Sequence, residues 1–240
     1  MKTLSTALLL LIFTCSAGIL KAQSADDVVK QYIKALGGKD AIIGVKTVYE
    51  EGAIEVMGNE APSTTYIVNG KGFKNQVDFN GQQIIQVVTD KGGWMINPMM
   101  GATTATEMPA EQLKSSRMQL DIGGPLLDYA SKGNKVELIG KDTANGASVN
   151  KLKVTTKDSI VMTMYIDAST GYLTRVLTPI PGQDGQITIN YSDYKKVDGG
   201  FMMPFGQQVI LPQITIGMVV KKVEINKTVD PAIFDMPKSK

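Results

Sequence analysis

The chain has 240 residues, no histidine, a single cysteine and a formal net charge of +2. An imidazole base and the usual cysteine–histidine zinc sites are therefore excluded, and so is a disulfide within the chain. Carboxylates, lysines, hydroxyls and two arginines remain for chemistry, which makes binding the leading class of function.

Residues 1–22 have the pattern of a secretory signal peptide. Lys2 provides a positive start, an apolar run covers residues 8–13, and Ala22 is a small residue at which cleavage is expected. The run is too short to span a bilayer. A threonine precedes Cys15, whereas a lipoprotein signal has a small residue there, so Cys15 is interpreted as a small hydrophobe inside the signal-peptide core and not as a lipid anchor. We expect an exported protein, with an uncleaved or lipidated form as the minor alternative.

Beyond residue 22 the charges balance. Two of the 25 basic residues, Lys2 and Lys21, lie in the predicted signal peptide, so 23 basic side chains remain against 23 acidic ones. Nucleic acid is not expected as a partner, since phosphate binding requires a basic surface. Simple electrostatic attachment to a membrane is disfavoured for the same reason. We expect one β-rich domain over residues 23–240, and a monomer, because no heptad pattern is present.

The first predicted element is a helix. Ser24 is a good N-cap, Asp26 and Asp27 place negative charge in the first turn, and Gly37-Gly38 ends the element. Apolar side chains recur between these limits at helical spacing, so the helix should lay one face on a sheet.

From Val45 onward, turn-forming dipeptides separate short runs with alternating apolar residues. The short gaps between the runs predict antiparallel hairpins, about ten or eleven strands in all. A sheet this wide should curl into an open half-barrel. The alternation in the run that begins at Ile214 changes phase after Lys221-Lys222, which predicts a bulge.

A helical insert, residues 109–132, interrupts the strands. Pro109 is typical of a helix start, and Gly123-Gly124-Pro125 should separate it from a second short helix that begins at Leu126. Two short amphipathic helices with a hinge between them can act as a lid. The alternative is that they cover the sheet without moving.

Three segments resemble the LolA/LolB-like lipoprotein carriers of the Gram-negative periplasm. They are Gly93-Trp94-Met95-Ile96-Asn97-Pro98, the Tyr-Ser-Asp-Tyr to Met-Pro stretch of residues 191–204, and the tail of residues 223–237. The order of elements is also similar along the whole exported chain. The resemblance implies an α+β, mainly β protein, an open antiparallel half-barrel with an N-terminal helix and a central helical lid. It also implies a periplasmic location and the carriage of lipoprotein acyl chains or phospholipid toward the outer membrane, with an outer-membrane acceptor protein as a possible partner.

An apolar cavity is expected to hold the acyl chains, because burial of each CH₂ group contributes about 0.8 kcal/mol. The chain has 13 methionines but only one tryptophan, and flexible thioethers suit varied apolar ligands. For any single methionine, ordinary core filling is the alternative. No cofactor and no metal are expected. The predicted cavity residues are Trp94, Met99, Met100, Leu113, Met118, Leu126, Met162, Met164, Ile216 and Met218.

The chain departs from the family at the lid latch. The carrier family has an arginine on an early strand that bonds to lid carbonyls, but residues 53–59 contain none. Arg117 falls in the helical insert and Arg175 in a later strand, where it is either a substitute latch or a solvated side chain.

Two classes of function remain from the sequence. One is the acyl-chain carrier, and the other is an envelope interaction or sensor domain on the same fold, acting through loops such as 98–108 and 178–186. A hydrolase is a distant third choice, since no histidine can activate a serine and no Gly-x-Ser-x-Gly motif is present.

Overall fold

The computed structural model describes residues 23–144, 146–180 and 184–237, so the predicted signal peptide and Cys15 lie outside the described residues. Three α-helices are present in this part of the chain: α1 (Ala25–Ala35), α2 (Lys39–Gly44) and α3 (Ala110–Ser116). The strands are β1 (Thr47–Val56), β2 (Asn59–Val68), β3 (Gly72–Phe79), β4 (Gln82–Thr89), β5 (Gly93–Asn97), β6 (Ala102–Glu107), β7 (Lys135–Ala144), β8 (Ala147–Thr155), β9 (Val161–Asp167), β10 (Leu173–Pro179), β11 (Gln186–Lys196), β12 (Met202–Ile210) and β13 (Thr215–Ile225).

All these strands form one antiparallel sheet with the order β6-β5-β4-β3-β2-β1-β13-β12-β11-β10-β9-β8-β7. Two meanders therefore meet where β1 pairs with β13. The free edges are β6 and β7, which follow each other in the chain, and the helical insert joins them across the gap. The predicted open antiparallel half-barrel is confirmed.

The described residues form 13 strands, more than the ten or eleven predicted. The hardest strand to recognise is β6, which has the sequence Ala-Thr-Thr-Ala-Thr-Glu and no apolar alternation. As an edge strand it is mostly exposed, so nothing selects for an apolar face. It also turns much of the proposed 98–108 loop into regular structure.

Helix α1 begins as predicted. The Ser24 side chain accepts a hydrogen bond from the Asp27 amide, and the Asp27 carboxylate accepts one from the Ser24 amide, which makes a capping box. Val28, Val29 and Tyr32 point into the main core. Amphipathic spacing and capping were therefore sufficient to locate this helix.

We call the sheet face that contacts α1, α2 and the helical insert the inner face, and its opposite the outer face. The main core lies on the inner face and contains Val28 of α1 and Ile42 of α2 together with Leu152 of β8 and Met164 of β9. A smaller cluster on the same face holds Leu120 of the insert. The helices thus cover one side of the sheet only.

The prediction of a second helix in the insert is wrong. After α3, a 3₁₀ turn covers Arg117–Leu120, and residues 122–133 then run through successive turns. Gly124 and Asp128 both have positive φ, a backbone state that ends an α-helix. Leu126 and Leu127 are nevertheless buried in the main core, so this non-helical stretch holds the end of the insert against the sheet.

The predicted bulge in β13 is confirmed. Glu51 pairs with Lys222, whereas the next residue, Gly52, pairs with Val220, so Lys221 is the extra residue. Because the strands approach closely here, a Cβ on Gly52 would lie 2.3 Å from the Val219 carbonyl oxygen. Only glycine fits this position without a shift of the backbone.

The free energy of unfolding of the G52A variant should be about 3 kcal/mol lower than that of the parent, because the added methyl group forces β1 away from β13. Urea denaturation followed by circular dichroism measures the difference. The matched control is G44A, because a Cβ at Gly44 meets no atom within 4 Å. Equal losses in the two variants would contradict the close approach at the bulge.

Candidate functional site

The inner faces of the two central strands carry a mixed set of side chains. The register pairs Val48 with Ile225 and Ile54 with Met218, so alternate residues between them share this face. At one end, Val48 is buried in the main core. At the other end Ile54 and Met218 are only half-buried, and this part of the wall is open to a ligand.

A small pocket of about 40 Å³ lies in this open part of the wall. Both apolar side chains and side chains with hydroxyl, amide and carboxyl groups line it. The lining residues include Glu50, Ile54, Ser63, Thr65, Asn75, Gln207, Met218 and Val220. We call it the central pocket. It combines an apolar surface with several groups that accept hydrogen bonds.

Glu50 is the ionisable residue of the central pocket. Burial raises the pKa of its carboxyl group to about 7, because the charged form loses hydration. Among the described residues it has no ion pair and no hydrogen bond that would offset this loss. The next residue, Glu51, points to the outer face, where the Tyr49 hydroxyl and the Lys222 ammonium hold the pKa of its carboxyl below the usual value.

The helical insert rests on the inner face of β2 to β4. Leu120 and the preceding Met108 pack with Phe73 and Val88, and Leu113 lies against this group. We call these residues the insert cluster. It is much smaller than the main core, so fewer apolar contacts hold the insert on the sheet.

A few hydrogen bonds accompany the insert cluster. The Gly70 amide donates to the Leu120 carbonyl at 2.7 Å, and the Gln86 side chain donates to the Ser116 hydroxyl at 3.3 Å. The Arg117 guanidinium donates to the Asp90 carbonyl at 3.4 Å. The bonds of Ser116 and Arg117 are long and involve exposed or part-exposed groups, so they hold this part of the insert weakly.

A larger groove of about 420 Å³ lies where the insert meets the end of the β4–β5 hairpin. Its apolar lining comes from the sheet, the insert and the C-terminal segment: Trp94, Met108, Leu113, Phe234 and Met236. We call it the edge groove. Its volume falls within the range of ordinary ligand pockets. Since Met108 and Leu113 also belong to the insert cluster, the groove opens directly onto it.

Solved structures with the same architecture are known. A DUF1329 family protein from Desulfovibrio piger superposes with a TM-score of 0.59 at 13% identity, covering 88% of this chain and 97% of that one. A LolA superfamily protein from Nitrosomonas europaea gives a TM-score of 0.59 at 9% identity over 89% and 98% of the two chains. A domain described as an outer membrane lipoprotein-sorting protein, from Vibrio parahaemolyticus, gives 0.57 at 12% identity over 88% and 97%.

The chain has a LolA-like fold. No protein-family model matches the sequence, and no curated protein sequence matches it. The similarity is therefore one of fold, with identities of 9–13% in these three comparisons.

On this LolA-like fold, the predicted cavity residues separate into five groups. Met162, Met164 and Leu126 are buried in the main core. Ile216 and Met218 are half-buried on the inner face of β13, and Met218 lines the central pocket.

The other predicted residues lie on the insert, at a hairpin tip or on the outer face. Leu113 contacts the insert cluster, whereas Met118 is more exposed. Met99 and Met100 project from the β5–β6 turn with exposures of 66% and 74%. Trp94 lies on the outer face with Val87, and its indole N–H donates to the Phe234 carbonyl at 2.9 Å. The strand register explains this placement, since Trp94 pairs with Val87 while Val88 faces inward.

Neither arginine takes the family's latch position on an early strand. Arg175 lies on the outer face, 5.6 Å from the centre of the Tyr165 ring, and donates to the Asn190 side chain at 3.0 Å. It therefore stabilises the outer surface of the sheet and does not touch the insert. Arg117 is itself part of the insert and donates to the Asp90 carbonyl in the β4–β5 turn.

Sequence reasoning missed the polar side of the central pocket: Glu50, Ser63, Thr65, Asn75 and Gln207. One signal was available. Glu50 occupies a position of β1 that shares its face with the core residue Val48, which is unusual for a carboxylate.

The described residues contain no group of three or more acidic, histidine or cysteine side chains that could hold a metal ion. Within the same ranges, no helix is both long and apolar enough to cross a bilayer.

Proposed function

We propose that this protein is a periplasmic binding protein that holds the acyl chains of lipoproteins or phospholipids and carries them toward the outer membrane. The acyl chain lies between the inner face of the central strands and the helical insert. The observation that carries the proposal is the insert itself, which spans the open side of the sheet and rests on the small insert cluster. The role is binding without catalysis.

The composition of the wall supports this assignment. Ile54, Ile216 and Met218 present half-buried apolar surface on the inner face, and further apolar area becomes free when the insert moves. A chain of about ten CH₂ groups that leaves water contributes about 8 kcal/mol, which is ample to displace Leu120 and its neighbours.

The edge groove supports a route for the ligand. It is open to solvent, and its inner end is formed by Met108 and Leu113, which also contact the insert cluster. An acyl chain that enters the groove can therefore replace these contacts one at a time. The outer-membrane lipoprotein-sorting domain among the similar folds agrees with such a ligand.

Motion of the insert can be tested by tethering it to β4. Gln86 and Ser116 are in hydrogen-bond contact, and the chain from Gln23 onward contains no cysteine, so a Q86C/S116C pair is unique. Bridging the pair with a short bis-maleimide should abolish the uptake of a fluorescent fatty acid, because the insert can no longer leave the inner face.

The control for this experiment is the same double variant blocked with a monofunctional maleimide, which modifies both thiols but leaves the insert free. It should take up the fatty acid within about twofold of the parent. Full uptake by the bridged protein would contradict binding beneath the insert.

The alternative is an envelope interaction domain that does not transport lipid. The small size of the central pocket, about 40 Å³, is the observation in its favour. Exposed methionines at the hairpin tips, such as Met57 and Met100, would then form the contact surface. Such a domain should take up no fatty acid in either form of the tethered variant.

A further inference from the structure

The central pocket contains a carboxyl group that neither the core nor the acyl-chain site requires. Glu50 is on the inner face of β1, and within the described residues its carboxyl group has neither a basic partner nor a hydrogen-bond donor. The lining of the pocket contains no lysine or arginine. The pocket therefore carries a single negative charge when Glu50 is ionised.

Within the described ranges, the strand positions around Glu50 place no basic residue beside its carboxyl group. On the same face, β2 presents Thr65, which pairs with Glu50, and β13 presents Val223 on the other side. The charged residues of this region, Glu51, Lys222 and Glu224, form their ion pairs on the outer face. On the inner face of β11, Tyr191 pairs with Gln207, and burial raises the pKa of the Tyr191 hydroxyl to about 12.

The other polar groups of the pocket supply acceptors. The Asn75 amide nitrogen donates to the Thr65 hydroxyl at 3.0 Å, which leaves the Asn75 Oδ1 atom as an acceptor. The Ser63 and Gln207 side chains also reach the pocket. A carboxylate with additional neutral oxygens around it suits a group with several N–H donors and a positive charge.

Size restricts the group further. A volume of about 40 Å³ admits little more than one water-sized group. The apolar neighbours Ile54, Met218 and Val220 border the same pocket, so a chain attached to that group would run along the apolar wall.

We propose that the central pocket binds the primary ammonium group of an amphiphilic ligand, with Glu50 as its counter-ion and Asn75, Ser63 and Gln207 as further hydrogen-bond partners. The inference rests on the proposed function, because the alkyl part of the ligand occupies the acyl-chain site. Ammonium binding also explains why an unpaired carboxyl group is retained in a partly apolar wall: the ligand supplies the missing partner.

Two chemical sources can supply such a group, a simple long-chain amine and the phosphoethanolamine head group of a phospholipid. Both carry the same ammonium, but only the second brings a phosphate, which must remain outside so small a pocket. Separate probes distinguish them.

The test measures the affinities of dodecylammonium and dodecanol for residues 23–240 by calorimetry, below the concentrations at which the probes aggregate. At pH 8.5 the ammonium should bind about tenfold more tightly than the alcohol. At pH 5.5 the preference should fall to about twofold or less, since Glu50 is then mostly protonated. The E50Q variant should show no preference at either pH, whereas E55Q, which changes an exposed outer-face carboxylate, should behave as the parent.

Equal binding of the two probes by the parent would overturn the ammonium site and leave the acyl-chain site intact. Failure of the parent to bind either probe would overturn the proposed function as well. A second pair, lysophosphatidylethanolamine and lysophosphatidylglycerol, identifies the source. A Glu50-dependent preference for the ethanolamine lipid assigns the pocket to phospholipid, and its absence alongside dodecylammonium binding assigns the pocket to simple amines.

Discussion

The E50Q variant is expected to be more stable than the parent at pH 8, by about 3 kcal/mol, and equal to it at pH 4. Burial raises the pKa of Glu50 from 4.5 to about 7, and each unit corresponds to about 1.36 kcal/mol. Because the folded-state pKa lies above the unfolded value, the charged form is penalised only in the folded protein. The parent therefore loses stability as the pH rises from about 4.5 through 7, and glutamine removes this dependence.

Urea denaturation at pH 4, 6 and 8 measures this effect as the difference between the two proteins, so that pH effects from all other groups cancel. E55Q is the matched control, since Glu55 is exposed on the outer face, and its difference from the parent should stay near zero throughout. If the free energies of unfolding of the parent and of E50Q differed by the same amount at all three pH values, Glu50 would be well solvated. This result would remove the physical basis of the ammonium site.

A residue whose ionised form destabilises the empty protein is typical of a binding site. Stabilising replacements at functional positions commonly reduce function, because the site is adapted to a ligand and not to the free protein. Glu50 should follow this rule, with E50Q gaining stability and losing ligand selectivity.

The M218D variant should lose at least about 90% of its fatty-acid uptake while remaining folded. Met218 is half-buried on the inner face and borders the central pocket, so an aspartate there places a second charge where the acyl chain must lie. Met218 is only half-buried, so the charge should lower the stability of the empty protein, as ionised Glu50 does, without unfolding it. Fluorescent fatty-acid titration measures uptake, and circular dichroism monitors folding.

Thr215 provides the control on the same strand. It is exposed and lies two positions before Gly217, which pairs with the outer-face residue Glu55, so T215D adds the same charge to β13 without entering the site. This variant should bind as the parent does. If M218D also retained normal uptake, the acyl chain would have to lie elsewhere, with the edge groove as the next location to examine. Met164 is unsuitable for this purpose, because it is 3% exposed in the main core and a charge there would unfold the protein.

Those elements with a strong local signal were predictable from the sequence. The capping box at Ser24, the apolar face of α1 and the phase change at Lys221 each reflect interactions over a few residues, and the structure contains all three. The short turns predict an antiparallel strand order. The number of strands predicts a sheet that curls into an open half-barrel, as the structure shows.

The remaining features depend on contacts between distant segments. The sequence places Trp94 in a family-like segment and predicts it in the cavity, but its register with Val87 and its hydrogen bond to the distant Phe234 carbonyl put it on the outer face. The sequence predicts a helix at Leu126, but the positive φ angles of Gly124 and Asp128 give this segment a turn conformation. The central pocket combines β1, β2, β3, β12 and β13, so no single segment contains its pattern.

The most direct test of acyl-chain carriage is native mass spectrometry of the protein purified from a bacterial periplasm without detergent. We expect a bound lipid or lipopeptide at about one per chain, which is released when the protein unfolds and is absent from the M218D variant prepared in parallel. A protein that is empty on isolation, and still empty after incubation with phospholipids and lipoproteins, would contradict the account and favour the interaction domain.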